Sequence, residues 1–169
     1  MSVRISIPER IVAEAKRRGI EDLESKLIEV LINELNLNPK DEAEIHLDLA
    51  VKFLQEGKKL VEEDPVQASE KLYKASEECI KALTMHLNLG DIITRVRARG
   101  RWTVTDLEKA TRLISKSVGR WFREAWDAAN YLHIWGFHEA ILDKDAIMER
   151  MDYIERMVEE TKKTIEQRG

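Results

Sequence analysis

The chain has 169 residues, of which 36% are charged and 43% are apolar, and its formal net charge at pH 7 is −4. This length predicts one main compact domain, and the scarcity of glycine and proline favours amphipathic helices over sheets. The negative net charge argues against a general electrostatic attraction to nucleic acids or anionic membranes, and no stretch is apolar for long enough to predict a membrane span.

The expected location is the cytoplasm, because the first residues contain no apolar stretch suited to a signal peptide. A single cysteine, Cys79, excludes an intrachain disulfide and lies at an apolar helical position typical of a core residue. Glutamate, lysine and arginine are abundant, whereas glutamine and cysteine are scarce. That composition favours a thermophilic source, because networks of exposed ion pairs suit high temperature.

Residues 1–38 are predicted to form an N-terminal appendage. Residues 3–7 alternate apolar and polar side chains, which predicts a short strand that ends at Pro8, and two short helices follow. This order resembles a ribbon-helix-helix unit, which dimerises through its strands and inserts them into the DNA major groove. Only Arg4 would offer a strong donor to a base edge, so a dimerising or packing role is the favoured interpretation.

Residues 39–169 are predicted to form a helical bundle. A long helix capped by Asp41 and a second helix that begins at Pro65 and ends at Gly90 form an antiparallel hairpin. A short helix over 91–99 and a turn follow. Thr105 and Glu108 are spaced as a capping box for the next helix.

The tryptophan-rich helix comes next, and a last helix follows it from about residue 144. Three of the four tryptophans lie within fifteen residues, and Gly136 is expected to stop this helix. Its predicted packing face, in the core or in a dimer interface, consists of Trp121, Ala125, Ala128, Leu132 and Trp135.

Three segments, residues 64–83, 99–104 and 125–139, together resemble the archaeal PaREP-type family. The most specific of them contains the motif Leu-His-Ile-Trp-Gly-Phe-His-Glu, and the similarity extends over residues 41–165. The resemblance implies a HEPN-like, or KNTase C-terminal-like, up-and-down bundle that often forms homodimers. Members of that superfamily cleave RNA, bind nucleic acids or nucleotides, or accompany nucleotidyltransferases.

One feature of the ribonucleolytic HEPN domains is missing from this sequence. Those domains place an arginine four to six residues before a histidine, so that a cation and a general acid or base flank one phosphate. None of the four histidines has an arginine at that distance, and nine residues separate the nearest pair, Arg123 and His133. The sequence therefore argues against a standard HEPN ribonuclease site.

The candidate catalytic residues are His133, His138 and Glu139, at the end of the tryptophan-rich helix. These residue types can bind a metal or transfer protons. Their spacing matches no common zinc pattern, so a polar pocket or a structural network is favoured, and no metal or other cofactor is predicted.

The candidate nucleic-acid or nucleotide-binding residues form the densest basic cluster of the chain: Arg95, Arg97, Arg99, Arg101 and Trp102. Guanidinium groups can hold a phosphate while an indole stacks on a base. The simpler alternative is that these arginines pair with some of the 32 acidic residues.

We therefore expect an all-α, up-and-down bundle that acts as a non-catalytic, homodimeric HEPN-like binding module. The expected partners are a second copy of the chain and RNA, DNA or a nucleotide, with no membrane. Two alternatives stay open: a divergent HEPN-type ribonuclease or nucleotidyl enzyme, and a purely structural dimeric adaptor.

Overall fold

The computed structural model describes residues 2–167, and its regular secondary structure is entirely helical over that range. The all-α prediction is therefore confirmed. The chain divides into two compact units, Met1–Leu37 and Asn38–Gly169. Within the described residues, no helix has both the length and the apolarity needed to cross a bilayer.

The first unit contains α1 (Glu9–Arg17) and α2 (Leu23–Leu35). The predicted strand over residues 3–7 is not formed, and the described residues before α1 have no regular secondary structure. A strand needs a neighbouring strand to satisfy its backbone hydrogen bonds, and the described part of this chain offers none. The side chains of Val3 and Ile5 are accordingly exposed.

The second unit is the helical bundle, and α4 is its central helix. Its elements are α3 (Pro39–Leu60), α4 (Pro65–His86), α5 (Gly90–Arg99), α6 (Val104–Val118), α7 (Trp121–Tyr131), a π-helix (Leu132–His138) and α8 (Lys144–Gln167). α4 packs against every other element of this unit. Its buried side chains include Leu72, Ile80 and Leu83, as expected for a helix with neighbours on several sides. Cys79 is buried in this core as predicted, and burial raises the pKa of its thiol to about 12.

Two helices are capped earlier than predicted. α3 is capped by Asn38 rather than Asp41, and the Asn38 side chain accepts a hydrogen bond of 3.0 Å from the Asp41 N–H. α6 is capped by Thr103 rather than Thr105, and its capping box pairs Thr103 with Asp106. In α3 the reason is Pro39, whose fixed φ and missing N–H suit the first helical position.

α4 ends earlier than predicted. Asn88 takes the left-handed conformation with φ of 52°, and Gly90 instead opens α5. Asparagine adopts this conformation more easily than other side chains that carry a Cβ, so it can end a helix as glycine does.

The packing face of the tryptophan-rich helix differs by about one residue from the prediction. Phe122 and Trp126 are completely buried, whereas Trp121 is half-buried and Trp135 is 41% exposed. Of the predicted face, Ala125 and Leu132 are buried. The core of this helix is therefore built on Trp126, and Trp135 remains available at the surface.

Candidate acid–base site

The π-helix is the local feature that builds the site. Gly136 does not stop the helix as predicted but lies buried inside the π-helical turn. A Cβ at Gly136 would stand 2.6 Å from the Ser69 Cβ, so only glycine allows the turn to approach α4 this closely. Single π-turns inserted into helices are frequent at functional sites.

The wider turn brings His133 and His138 to the same side. On a regular α-helix, residues five apart differ by about 140° in direction, which would separate these two rings. In the π-helix the hydrogen bonds join residues five apart, as in the 2.8 Å bond from the Glu139 N–H to the Ile134 carbonyl. The Nε2 atoms of His133 and His138 are consequently 3.0 Å apart.

Glu70 of α4 completes a row of three groups. Its Oε2 lies 2.7 Å from His133 Nδ1. An ionised carboxylate only accepts hydrogen bonds, so His133 donates through Nδ1 and turns its Nε2 toward His138. At 3.0 Å, a proton on either Nε2 atom can be shared between the two rings. His138 is exposed and His133 is half-buried, so the row opens to solvent at His138.

Aromatic rings fix the position of His133 from its other side. The Tyr73 ring stacks on the His133 ring at 4.0 Å and on the Trp126 ring at 5.4 Å. Trp126 Nε1 donates to Glu108 of α6 at 2.6 Å, and Arg123 lies 3.6 Å from the same carboxylate. Arg123, the arginine nearest to His133 in sequence, is thus paired with Glu108.

Burial and surrounding carboxylates shift two pKa values beside this row. Burial, with the charges of Glu77 and Glu70, raises the pKa of Tyr73 far above its usual range, so the phenol keeps its proton. Burial also raises the pKa of Glu77. Perturbed groups beside an open histidine are typical of a site that moves protons.

Glu139, the third candidate, is not part of the row. It is exposed, and no hydrogen bond or ion pair within residues 2–167 joins its carboxylate to either histidine. Over the same range, no three histidine, cysteine or acidic side chains are arranged to hold a metal ion.

The predicted nucleic-acid residues do not form one free basic surface. Arg97 is 3.2 Å from the Glu42 carboxylate, and Arg99 is 2.5 Å from Asp106. Trp102 is partly buried against the core, and Arg95 is half-buried. Arg101 is exposed and pairs with no carboxylate of the described chain.

A second histidine cluster, centred on His46, is closed to solvent. His46 is 4% exposed, with its Nδ1 2.5 Å from Glu78 Oε2 and its Nε2 3.6 Å from Glu42 Oε1. Burial alone would lower the pKa of His46, but Glu78 and Glu42 outweigh it and raise that pKa. Burial would raise the pKa of Glu78, but Lys81 and His46 hold it at about 2.

The sequence did not point to Glu70 and Tyr73 as site residues. They lie about sixty positions before the histidines, on the helix that the sequence marks as core. The sequence carries no distinct signal for them, because α4 has several other polar residues, and their role becomes visible only where His133 packs against them.

Comparisons with known proteins place the chain in a family. The model of the archaeal PaREP1/PaREP8 family matches residues 45–158. A crystal structure of a protein from Sulfolobus solfataricus is 34% identical to this chain with a TM-score of 0.59, and the match covers 74% of this chain and 97% of that one.

The solution structure of the Orf c02003 protein is also 34% identical, with a TM-score of 0.60 and coverage of 67% of this chain and 88% of that one. No curated protein sequence matches this chain. The family model falls on the helical bundle, and the identity to a solved structure supports the same assignment. This chain belongs to the archaeal PaREP1/PaREP8 family.

Proposed function

We propose that this protein is a divergent HEPN-like phosphodiester hydrolase that uses the His133–His138 pair for general acid–base catalysis. The observation that carries the proposal is the row Glu70–His133–His138, with contacts of 2.7 Å and 3.0 Å and an exposed end. The sequence lacks the arginine–histidine spacing of HEPN ribonucleases. In this proposal two histidines that can hold and release a proton take its place.

The reaction needs one proton removed and one proton delivered. A hydroxyl oxygen of the substrate attacks phosphorus and loses its proton to the imidazole of His138. The bond from phosphorus to the leaving oxygen then breaks, and that oxygen takes the proton back from the His138 imidazolium. His138 is the exposed group that would meet the substrate. His133, oriented by Glu70, exchanges the proton with His138 across the two Nε2 atoms.

The HEPN-like fold and the homodimer also belong to this proposal. The up-and-down arrangement of α3, α4, α7 and α8 supports the first. Support for the second comes from three exposed apolar side chains beside the histidine pair: Tyr131, Ile134 and Trp135 are 40%, 46% and 41% exposed. Exposed aromatic residues at one place are enriched in protein interfaces.

The non-catalytic binding module receives less support. Two of its four predicted arginines, Arg97 and Arg99, are paired with carboxylates, and those pairs join α5 to α3 and to the start of α6. The structural adaptor is the remaining alternative if the parent protein does not hydrolyse nucleic acid.

The test is hydrolysis of a labelled RNA oligonucleotide by the parent, His133→Gln and His138→Gln. The proposal predicts that each variant folds and that each loses about 10²- to 10⁴-fold in rate, as expected for an acid–base group. His86→Gln is the matched control, because His86 lies at the other end of α4. Equal rates in the parent and His138→Gln, or no hydrolysis by the parent, would overturn the proposal.

A further inference from the structure

α6 presents a basic face to solvent. Lys109, Arg112 and Lys116 are all exposed, and their spacing places them within about 60° of one another on the helix. The opposite side of α6 is buried through Leu107 and Ala110, together with Ile114. The outer face is thus separate from the side that packs in the core.

Both acidic residues of α6 contact groups other than these three cations. Asp106 is 3% exposed and is held by Thr103 and Arg99. Glu108 accepts from Trp126 and lies near Arg123. Neither carboxylate forms an ion pair with Lys109, Arg112 or Lys116.

The three cations are also unpaired with other elements. Within residues 2–167, no carboxylate forms an ion pair with Lys109, Arg112 or Lys116. Most exposed lysines of α8, by contrast, have an acidic partner one turn away, as Lys163 does in Glu159. In a chain with a net charge of −4, an unneutralised basic face is a local exception to the overall charge.

We infer that the outer face of α6 binds the sugar–phosphate backbone of a nucleic-acid strand. The three cations extend over about 10 Å of the helix axis, and phosphates of one strand of duplex DNA repeat every 3.4 Å along its axis, so the face is long enough for several phosphates. This inference deepens the proposed function, because it makes the substrate a polymer rather than a mononucleotide.

The position of α6 links this face to the histidine pair. Glu108 bonds Trp126, Trp126 stacks on Tyr73, and Tyr73 stacks on His133. These contacts connect α6 to His133 through two intervening side chains, those of Trp126 and Tyr73.

A membrane surface fits this face less well. Helices that lie on membranes bury an apolar side in the lipid beneath their basic side chains. In α6 the apolar side is already in the protein core, so only the charges remain to bind. A nucleic-acid backbone needs no more than those charges.

The experiment measures binding of a fluorescein-labelled oligouridylate by anisotropy in the intact protein. The Lys109→Gln/Arg112→Gln/Lys116→Gln variant should bind more weakly than the parent. Its plot of log affinity against log salt concentration should be shallower by about two, since each contact to a single strand contributes about 0.7. The matched control, Lys59→Gln/Lys144→Gln/Lys162→Gln, removes the same charge from exposed positions on α3 and α8 and should bind like the parent.

Three results would overturn the inference: equal losses in the two triple variants, unchanged binding in the α6 variant, or binding to anionic vesicles but not to the oligonucleotide. A labelled oligodeoxyuridylate, which has no 2′-hydroxyl, should also bind through α6. Because the oligodeoxyuridylate lacks the attacking 2′-hydroxyl, its binding is measured without cleavage. If the His138→Gln test fails while binding still depends on α6, the proposed enzyme activity is contradicted and the binding surface is supported. If hydrolysis depends on His138 but binding does not depend on α6, the activity is supported and the binding surface is contradicted.

Discussion

The two histidine clusters of this bundle share one design and differ in what surrounds it. In each, a glutamate of α4 holds a histidine from a neighbouring element: Glu78 holds His46 of α3, and Glu70 holds His133 of the π-helix. His46 has a second carboxylate beside it, and Glu42 is in turn paired with Arg97. His133 instead has His138, which faces solvent.

This difference separates a structural role from a chemical one. The His46 cluster is closed by charges of opposite sign, so its proton stabilises the fold and has no route to a substrate. The His133 row has one carboxylate for two imidazoles and ends at the surface, so its proton can be exchanged. Burial, rather than residue type, decides which carboxylate–histidine pair can act as a catalyst.

The largest effect on stability is expected for Glu78→Gln. Removing one partner of a buried ion pair leaves the other uncompensated, which costs about 3–5 kcal/mol of the free energy of unfolding. Glu77→Gln is the matched control one residue away, because it removes the same charge from α4 while His46 keeps both of its carboxylate partners, Glu78 and Glu42. Urea unfolding at pH 6 measures both variants. Similar losses would show that the His46 cluster is no more important to the fold than its neighbour.

Gly136→Ala should lower the free energy of unfolding by less than Glu78→Gln does. It also tests whether the Glu70–His133–His138 row depends on the π-helix. The added Cβ meets the Ser69 side chain, and overpacking of this kind costs about 1–3 kcal/mol. The same change should disturb the π-helix and lower hydrolysis. Gly90→Ala is the control, because nothing lies within 4 Å of a Cβ there. A neutral Gly136→Ala variant would contradict the close approach of the π-helix to α4.

The His46 cluster should also make the free energy of unfolding depend on pH, with a smaller effect. The pKa of His46 is raised from 6.5, so its stabilisation is complete below pH 6.5 and is lost as the pH rises through the folded-state value. The pKa of Glu78 is lowered from 4.5 to about 2, so its stabilisation is complete above pH 4.5 and is lost as the pH falls toward 2.

Thermal unfolding across this range should therefore show a maximum between pH 4.5 and 6.5 for the contribution of the pair. In Glu78→Gln the loss above pH 6.5 should be smaller, because Glu78 is the main charge that raises the His46 pKa. An unchanged alkaline slope in that variant would contradict the assignment.

The sequence predicted the elements of the bundle well and its site only in part. Periodic apolar residues predict long helices, and the helix over 91–99 follows the same rule. The π-helix has no such signal: Gly136 carries the usual mark of a helix end, and only the Ser69 side chain opposite shows why glycine is needed there. Local patterns cannot report a contact made across the fold.

The same limit applies to the site residues. His133 and His138 are candidates by type, but α-helical spacing would point them apart, so their contact depends on a turn that the sequence does not predict. Glu70 comes from another helix. The arginines near Trp102 were clear as a cluster, whereas their partners Glu42 and Asp106 emerge only from the packing of three helices.

The most direct test of the open row is the nitrogen spectrum of the histidine rings, recorded by two-bond ¹H–¹⁵N correlation at neutral pH. A Glu70-held His133 should carry its proton on Nδ1 whenever the ring is neutral, and His138→Gln should shift the His133 Nε2 signal while leaving the His46 signals in place. A His133 spectrum that is unaffected by loss of His138 would contradict a proton held between the two rings.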